Sequence, residues 1–244
     1  MDTSPAIDEF GTLDYAPPGL MDRLWADGWR HFGDCFFRYS RTEAENGEIQ
    51  VIQPLRIPLA DFSLSKSQRR ILKRNNDVVI SILPAVVDDE REALFLKHRE
   101  RFTTNVPESL RDFIPSPVPD RLPCTCLNVE VRLDERLLAV SYLDVDIESV
   151  SSVYAIFDPA EHRRGLGTLT LLEEIRWAGS QGKRWLYPGY ATAQPSIYDY
   201  KKTFRPMEYS DWNGNWELLE RTAQGGTGQA NHSQIPRQAG GGVL

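Results

Sequence analysis

Apolar residues recur along this chain in two rhythms, and the rhythms predict where strands and helices fall. Three strand signals stand together in the middle: Cys124 to Leu133, Arg136 to Asp146 and Val150 to Phe157, the first two joined by an Asp134-Glu135 turn. Upstream, Phe32 to Tyr39 and Val51 to Pro58 read as strands, and the β-branched run Val78 to Leu83 reads as a buried one. Helical spacing appears at Leu20 to Gly28, which stops at a glycine, and at Asp88 to Thr103, which has an acidic start. Gly165 to Gly179 predicts a helix entered through a glycine turn; Trp185 to Tyr187 predicts a further strand and Ile197 to Thr203 a short helix. Between these lie an acidic lead-in over 1–17, a polar loop from Ser40 to Glu48 and the proline-rich stretch Pro107 to Pro123. Residues 222–244 carry few apolar side chains and read as a disordered tail.

The segment Ser63 to Asn76, SLSKSQRRILKRNN, adds charge to this pattern. Lys66, Arg69, Arg70, Lys73 and Arg74 follow at offsets of three, four, seven and eight and share one helix face. Leu64, Ile71 and Leu72 take the opposite face, so the helix can dock while its cations look outward. Ser65 and Gln68 form an S-x-x-Q capping box, and Asn75-Asn76 suits the turn that closes a helix. In a chain of net charge -7, five cations on one face mark a local site for a polyanion; the alternative is a solvated surface.

Composition narrows the rest. At 244 residues and 41% hydrophobic, with six Trp and nine Tyr, the chain can build a substantial core. Its acidic balance excludes a nonspecific DNA coat, and no DNA partner is expected. Three cysteines do not make a disulfide framework; Cys124 and Cys126 are assigned to opposite faces of a strand, and no metal site is expected. No signal segment and no membrane-length apolar run are seen, so a soluble cytoplasmic protein without a membrane partner is the expectation.

A glycine turn opening a helix, as in HRRGLGTLTLLEEIRWAG from His162 to Gly179, presents backbone N–H groups to an anion. Strand–RRGLGT–helix–strand resembles the central motif of the GNAT acyltransferases, although His162 stands where that family has Gln or Arg. Three further blocks resemble the arginyl-tRNA–protein transferase family, which includes bacterial aspartate/glutamate leucyltransferases. PLRIPLADFSLSKSQRRILKRN, Pro54 to Asn75, is similar to that family's arginine-bearing strand followed by F-x-x-S-x-S-Q-R-R and R-N. The SVYAIFDP and HRRGLGT stretch, Ser152 to Thr168, resembles Y-x-F-x-D-P followed by S-L-G-T, with Gly165 in place of Ser. WLYPGYATAQPSIYDYKKTFRPMEY, Trp185 to Tyr209, resembles Y-x-G-Y and Y-K-x-x-F-x-P-x-E. The resemblance covers most of residues 20–212 and implies an α+β fold: a GNAT-like core with a mixed sheet flanked by helices, plus a smaller N-terminal α/β portion. The expected division is 1–85 with the basic helix over 65–76, 86–221 as the transferase core, and 222–244 as tail. The family's N-terminal cysteine clusters are absent here, where Arg38-Tyr39-Ser40 leads into a cysteine-free loop, so its iron or haem association is not carried over.

What the resemblance implies is attack of an acceptor protein's α-amine on the ester of an aminoacyl-tRNA. Arginine or leucine would pass to an N-terminus with an acidic first residue, as in the N-degron pathway. Aminoacyl-tRNA is then the co-substrate, and no cofactor is expected because the donor is already activated. The catalytic candidates are Tyr190, Tyr187 and Asp158. Tyr190 is a proton donor or adenosine-stacking ring, or else a core aromatic; Asp158 is a proton acceptor, or else a turn cap. Lys66, Arg69, Arg70, Lys73, Arg74, Arg163, Arg164 and Lys201 are candidates for tRNA phosphates; Gly165, Gly167 and Thr168 form the donor-binding turn. Arg56 is the candidate for an acidic acceptor residue, with a structural salt bridge as its alternative. Asp144, Asp146 and Asp158, taken as a cluster near the site, tilt the donor toward arginine. None of the four histidines is expected to be a base. The alternatives are a coenzyme A-dependent N-acetyltransferase, or a divergent relative using charged tRNA on a small peptide.

Overall fold

The structure, a computed structural model, describes residues 6–44, 47–102, 106–194 and 197–220. The expected tail over 222–244 lies outside the described residues.

The three central strand signals form a meander. β7 (Thr125–Leu133), β8 (Arg136–Val145) and β9 (Ser149–Phe157) pair antiparallel, and Asp134 takes positive φ in the first hairpin. The meander is the centre of a nine-stranded sheet in the order β12-β11-β5-β10-β9-β8-β7-β6, where β5 is Ile49–Pro58, β6 Val79–Pro84, β10 Trp185–Thr192, β11 Glu208–Ser210 and β12 Trp216–Leu218. β4 (Arg41–Glu43) adds to the outer end of β5. β5 lies inside the sheet and β6 at its edge, so the sheet takes strands from both sides of residue 85.

β8 is buried on both faces, which explains its nearly unbroken apolar run. Val140 and Tyr142 face α3 (Asp89–Arg99); Ala139 and Leu143 face α4 (Leu166–Ser180). Helix α2 (Lys66–Arg74) lies against α4 on that second face through Ile71 and Leu72. Its capping box is complete: the Ser65 hydroxyl accepts from Gln68 N, and the Gln68 side chain accepts from Ser65 N.

Several expectations change. Phe32 to Tyr39 is a hairpin, not one strand: β2 (Arg30–Phe32) turns at Gly33, with φ 59°, into β3 (Cys35–Tyr39). The acidic lead-in contributes β1 (Asp8–Thr12), which pairs with β3 to complete a separate three-stranded sheet. β6 is an edge strand and half exposed rather than buried, since only β7 covers it. Helix α1 (Leu20–Ala26) closes at Gly28, as expected, and buries Trp25 against Tyr187. No described helix is long and apolar enough to cross a membrane.

Candidate functional site

β9 and β10 are parallel neighbours joined through α4, yet they pair only from Trp185/Ser149 to Tyr187/Ser151. Beyond that point β10 continues beside β5 alone, with a register shift between Leu186 and Gly189, while β9 continues beside β8. The two strands part, and the backbone groups that face each other across the gap have no ladder partner there. Gly189, at φ 92°, makes the bend; a Cβ on it would meet Lys201 Nζ at 3.2 Å.

Three ionisable side chains converge beneath this opening. Glu174, on α4, is fully buried, and neither carboxylate oxygen has a hydrogen-bond partner among the described residues. The Ser141 and Ser152 hydroxyls lie beside it and offset part of the burial. Burial raises its carboxyl from 4.5 to about 7. Lys201 stands between Glu174 and Arg30, with Nζ 3.4 Å from the Tyr190 carbonyl; burial brings its amine down to about 8. Arg30, on β2, is 7% exposed and lies over the rings of Tyr187 and Tyr190, 5.3 and 5.4 Å from their centroids. Its Nη1 donates to the Trp25 and Trp29 carbonyls, while Nε and Nη2 have no hydrogen-bond partner among the described residues. A buried guanidinium with two unused donors is costly unless something acidic meets it. Arg30, Lys201 and Glu174 therefore form a row of groups whose proton affinities burial has moved toward neutrality.

A second feature lies at the start of α4. Gly165 has φ 67°, and a Cβ there would meet Ile71 of α2 at 3.4 Å. Arg74 donates to the Arg163 carbonyl, and Asn75 Nδ2 donates to the Arg164 carbonyl at 2.9 Å. Helix α2 is thus latched to the glycine turn. Lys66, Arg69, Arg70, Lys73 and Arg74 stay exposed, and Arg163 extends the same basic surface. Gly167 has its own packing reason, since a Cβ there would meet Phe157 at 3.3 Å; Thr168 N is bonded back to Gly165 O.

Other candidates are engaged elsewhere. The Tyr190 hydroxyl donates to Gly28 O at 2.6 Å, its ring packs on Phe37 and Tyr39, and burial pushes its phenol well above the usual range. It is a tie between β10 and the N-terminal sheet, not a poised proton donor. Tyr187 is a core ring between Trp25 and Trp216. Asp158 caps the turn before Gly165 by accepting from Ala160 N, and it lies at the far end of β9 from Ser151. Arg164 is held by Asp77 and Glu161. Lys201 is half-buried, with Nζ turned to the Tyr190 carbonyl rather than to the α2 surface. Arg56 is stacked between Trp185 and Trp216, at 3.9 and 4.3 Å, and paired to Glu208 at 2.6 Å. Asp144 and Asp146 lie at the opposite end of the meander from Asp158, and Asp146 accepts from Gly19 N and Asp22 N. The acidic cluster that favoured arginine does not form. His98 is neutral, its ring brought down to about 3 by burial, and Nδ1 accepts from Phe157 N; His162 is exposed. Cys124 and Cys126 are both buried, on one face: residues two apart in a strand point the same way, which corrects the opposite-face assignment.

Parting parallel strands joined by a glycine-entered helix, inside a largely antiparallel sheet, define a GNAT-like acyltransferase core. Residues 89–211 match the family described as arginine-tRNA-protein transferase, C terminus. The aspartate/glutamate leucyltransferase of Shewanella oneidensis is 36% identical over 214 residues, 86% of this chain and 84% of that protein. The enzyme of the same name from Acinetobacter baumannii is 28% identical over 221 residues, 88% of this chain and 77% of that protein. The chain belongs to the arginine-tRNA-protein transferase family and is an aminoacyltransferase. Among solved structures, the C-terminal domain of a lysylphosphatidylglycerol synthetase from Agrobacterium fabrum aligns with a TM-score of 0.47 at 12% identity, over 73% of this chain and 54% of that one.

Two outcomes follow from this geometry. Tyr190→Phe should lose about 1–2 kcal/mol of stability in urea unfolding, the cost of leaving Gly28 O without its donor, and keep its single-turnover rate within about threefold. Glu174→Gln should do the reverse. The folded carboxyl holds its proton more tightly than the unfolded one, so this group's contribution to stability falls as pH rises from 4.5 to about 7. Above that window the wild type carries a penalty on the order of 3 kcal/mol that Gln does not. The variant should melt higher than wild type at pH 8, match it near pH 4.5, and lose on the order of a hundredfold in single-turnover rate.

Proposed function

We propose that this enzyme transfers leucine from charged tRNA to the α-amine of proteins beginning with Asp or Glu, with arginine as the alternative donor. The row of buried Arg30, half-buried Lys201 and buried Glu174 at the opening of β9 and β10 carries the reading. Leucine is favoured over arginine for two reasons. The named relatives are leucyltransferases, and the acidic residues that would receive an arginine side chain are dispersed.

The reaction forms a C–N bond between the acceptor amine and the acyl carbon, and it breaks the ester C–O bond to the terminal ribose. The amine gives up one proton and the departing ribose oxygen takes one. Lys201, with its amine near 8, supplies a proton to the ribose oxygen; Glu174, near 7, takes the amine's proton and returns the pair to its starting state. The ester is already activated, so no ATP or other cofactor is called for. Arg30 offers its two unused donors to the acidic side chain of the acceptor's first residue. The cations of α2 with Arg163 hold tRNA phosphates, and a charged-tRNA co-substrate favours a cytoplasmic setting.

Labelled leucine or arginine on tRNA, offered to peptides beginning with Asp, Glu or Ala, tests the assignment. Leucine transfer to the Asp and Glu peptides alone is expected. Arginine transfer would reassign the donor, and acetyl transfer from acetyl-coenzyme A without either would support the N-acetyltransferase alternative. Arg30→Gln should raise KM for the Asp peptide roughly ten- to a hundredfold, as expected for loss of a charge-assisted pair. Replacing Arg69, Arg70 and Lys73 with Ala should weaken tRNA binding and flatten its log–log salt slope by about one unit per lost phosphate contact. An unchanged slope would make α2 ordinary solvated surface.

A further inference from the structure

Away from the transfer site, His31 on β2, Cys124 just before β7 and Asp144 on β8 place their ligand atoms within 4.8 Å of one another. All three are buried. Cys126 is the register partner of Asp144 and lies beside the same carboxylate. Three ligand types known from metal sites thus meet in one interior volume, with Cys126 as a fourth side chain next to the Asp144 carboxylate. A cavity of about 20 Å³ adjoins it, lined by His31, Cys126 and Asp144 among others, with room for one atom-sized guest.

The orientation of the histidine is informative. His31 Nδ1 is 2.8 Å from the Gly33 carbonyl, which can only accept, so Nδ1 carries a proton. Nε2 then faces Asp144 Oδ2 at 2.7 Å. A histidine whose Nδ1–H is fixed by a backbone carbonyl, with Nε2 aimed at further ligands, has the arrangement that orients metal-bound imidazoles. Without a metal, a single proton between Nε2 and the Asp144 carboxyl holds this contact, next to two buried thiols.

We propose that His31 Nε2, Cys124 Sγ, Cys126 Sγ and Asp144 form a closed tetrahedral site for a divalent transition-metal ion, zinc being the ion that best suits this donor set. Ligand atoms around such an ion lie roughly 3.3–3.8 Å apart, so His31, Cys124 and Asp144 need only small adjustments, and Cys126 closes the shell by turning its Sγ past the Asp144 carboxylate. Binding would release the proton held between His31 Nε2 and Asp144 and both thiol protons. With four protein ligands and none exposed, the site has no open position for substrate: its role is structural. It would clamp the three-stranded sheet, through β2, to β7 and β8 of the main sheet. These residues are separate from the N-terminal cysteine clusters typical of the family.

Metal analysis of the full-length protein, expressed with zinc and purified without chelator, should find one zinc per chain. Cobalt exchange should give the intense visible bands of a tetrahedral site and a near-ultraviolet thiolate-to-cobalt band. Cys124→Ser and Cys126→Ser should each reduce that thiolate band, and a strong chelator should lower the wild-type melting temperature. If either variant does not fold, the wild-type cobalt spectrum decides. A folded protein that neither carries zinc nor takes up stoichiometric zinc or cobalt overturns the proposal, and the cluster is then a hydrogen-bonded ion pair. None of these measurements depends on transferase activity.

Discussion

The parting of β9 from β10 is the constraint around which the molecule is arranged. A strand in the middle of a sheet normally satisfies its backbone on both sides, and a break in the ladder leaves donors and acceptors that must be met otherwise. Here β10 keeps β5 on its outer side along its length and gives up β9 after Tyr187. Polar side chains gather where the ladder is lost: Glu174 from α4 below, Lys201 from the turn after β10, and Ser152 from β9. An unbroken sheet would leave no reason for a buried carboxylate and a half-buried amine to meet there. Their perturbed proton affinities are a direct consequence of the fold.

The N-terminal sheet gives the opening a wall. Tyr190 ties β10 to the residue that closes α1, and Arg30 reaches over the Tyr187 and Tyr190 rings from β2. His31, the next residue on β2, points to the other side of the strand, toward Cys124 and Asp144. One short strand therefore carries a candidate acceptor-recognition group on one face and a candidate clamp on the other. Whatever fixes His31 also fixes Arg30, because neighbouring residues on a strand cannot turn independently.

Much of this was legible in the sequence where local rules act. The capping box at Ser65, the glycine turn at Gly165, the meander and its Asp134 turn all follow from residue spacing, and the structure keeps each of them. The site itself was not legible. Glu173 and Glu174 are adjacent acids on one helix and both are buried; Glu173 is paired with the exposed Arg176 while Glu174 has no hydrogen-bond partner among the described residues, and only the packing register separates them. Lys201 sits in a run with Lys202 that reads as solvent-facing charge, and Arg30 is a lone cation between Trp29 and His31 with no periodic signal. The YPGY segment is conspicuous in the sequence for its aromatics, yet its tyrosines serve packing and a carbonyl bond. The two-strand hairpin at Gly33 was hidden inside an apolar run, since β2 and β3 are both too short to show alternation.

Helix α4 relates the two working surfaces. Its first turn packs against α2 through Ile71 and Gly165, where the basic face begins, and Glu174 lies nine residues further along. At about 1.5 Å per residue the basic latch and the buried carboxylate are roughly 14 Å apart along the helix axis. Both are fixed to the same rigid element, so a polyanion gripped at one end presents its terminus at a set distance from the other. Separating grip from chemistry in this way also resolves the electrostatic conflict of an acidic protein with a polyanionic substrate. The cations sit on one exposed face, where salt governs affinity, while the groups that exchange protons lie under the sheet, where salt screens little.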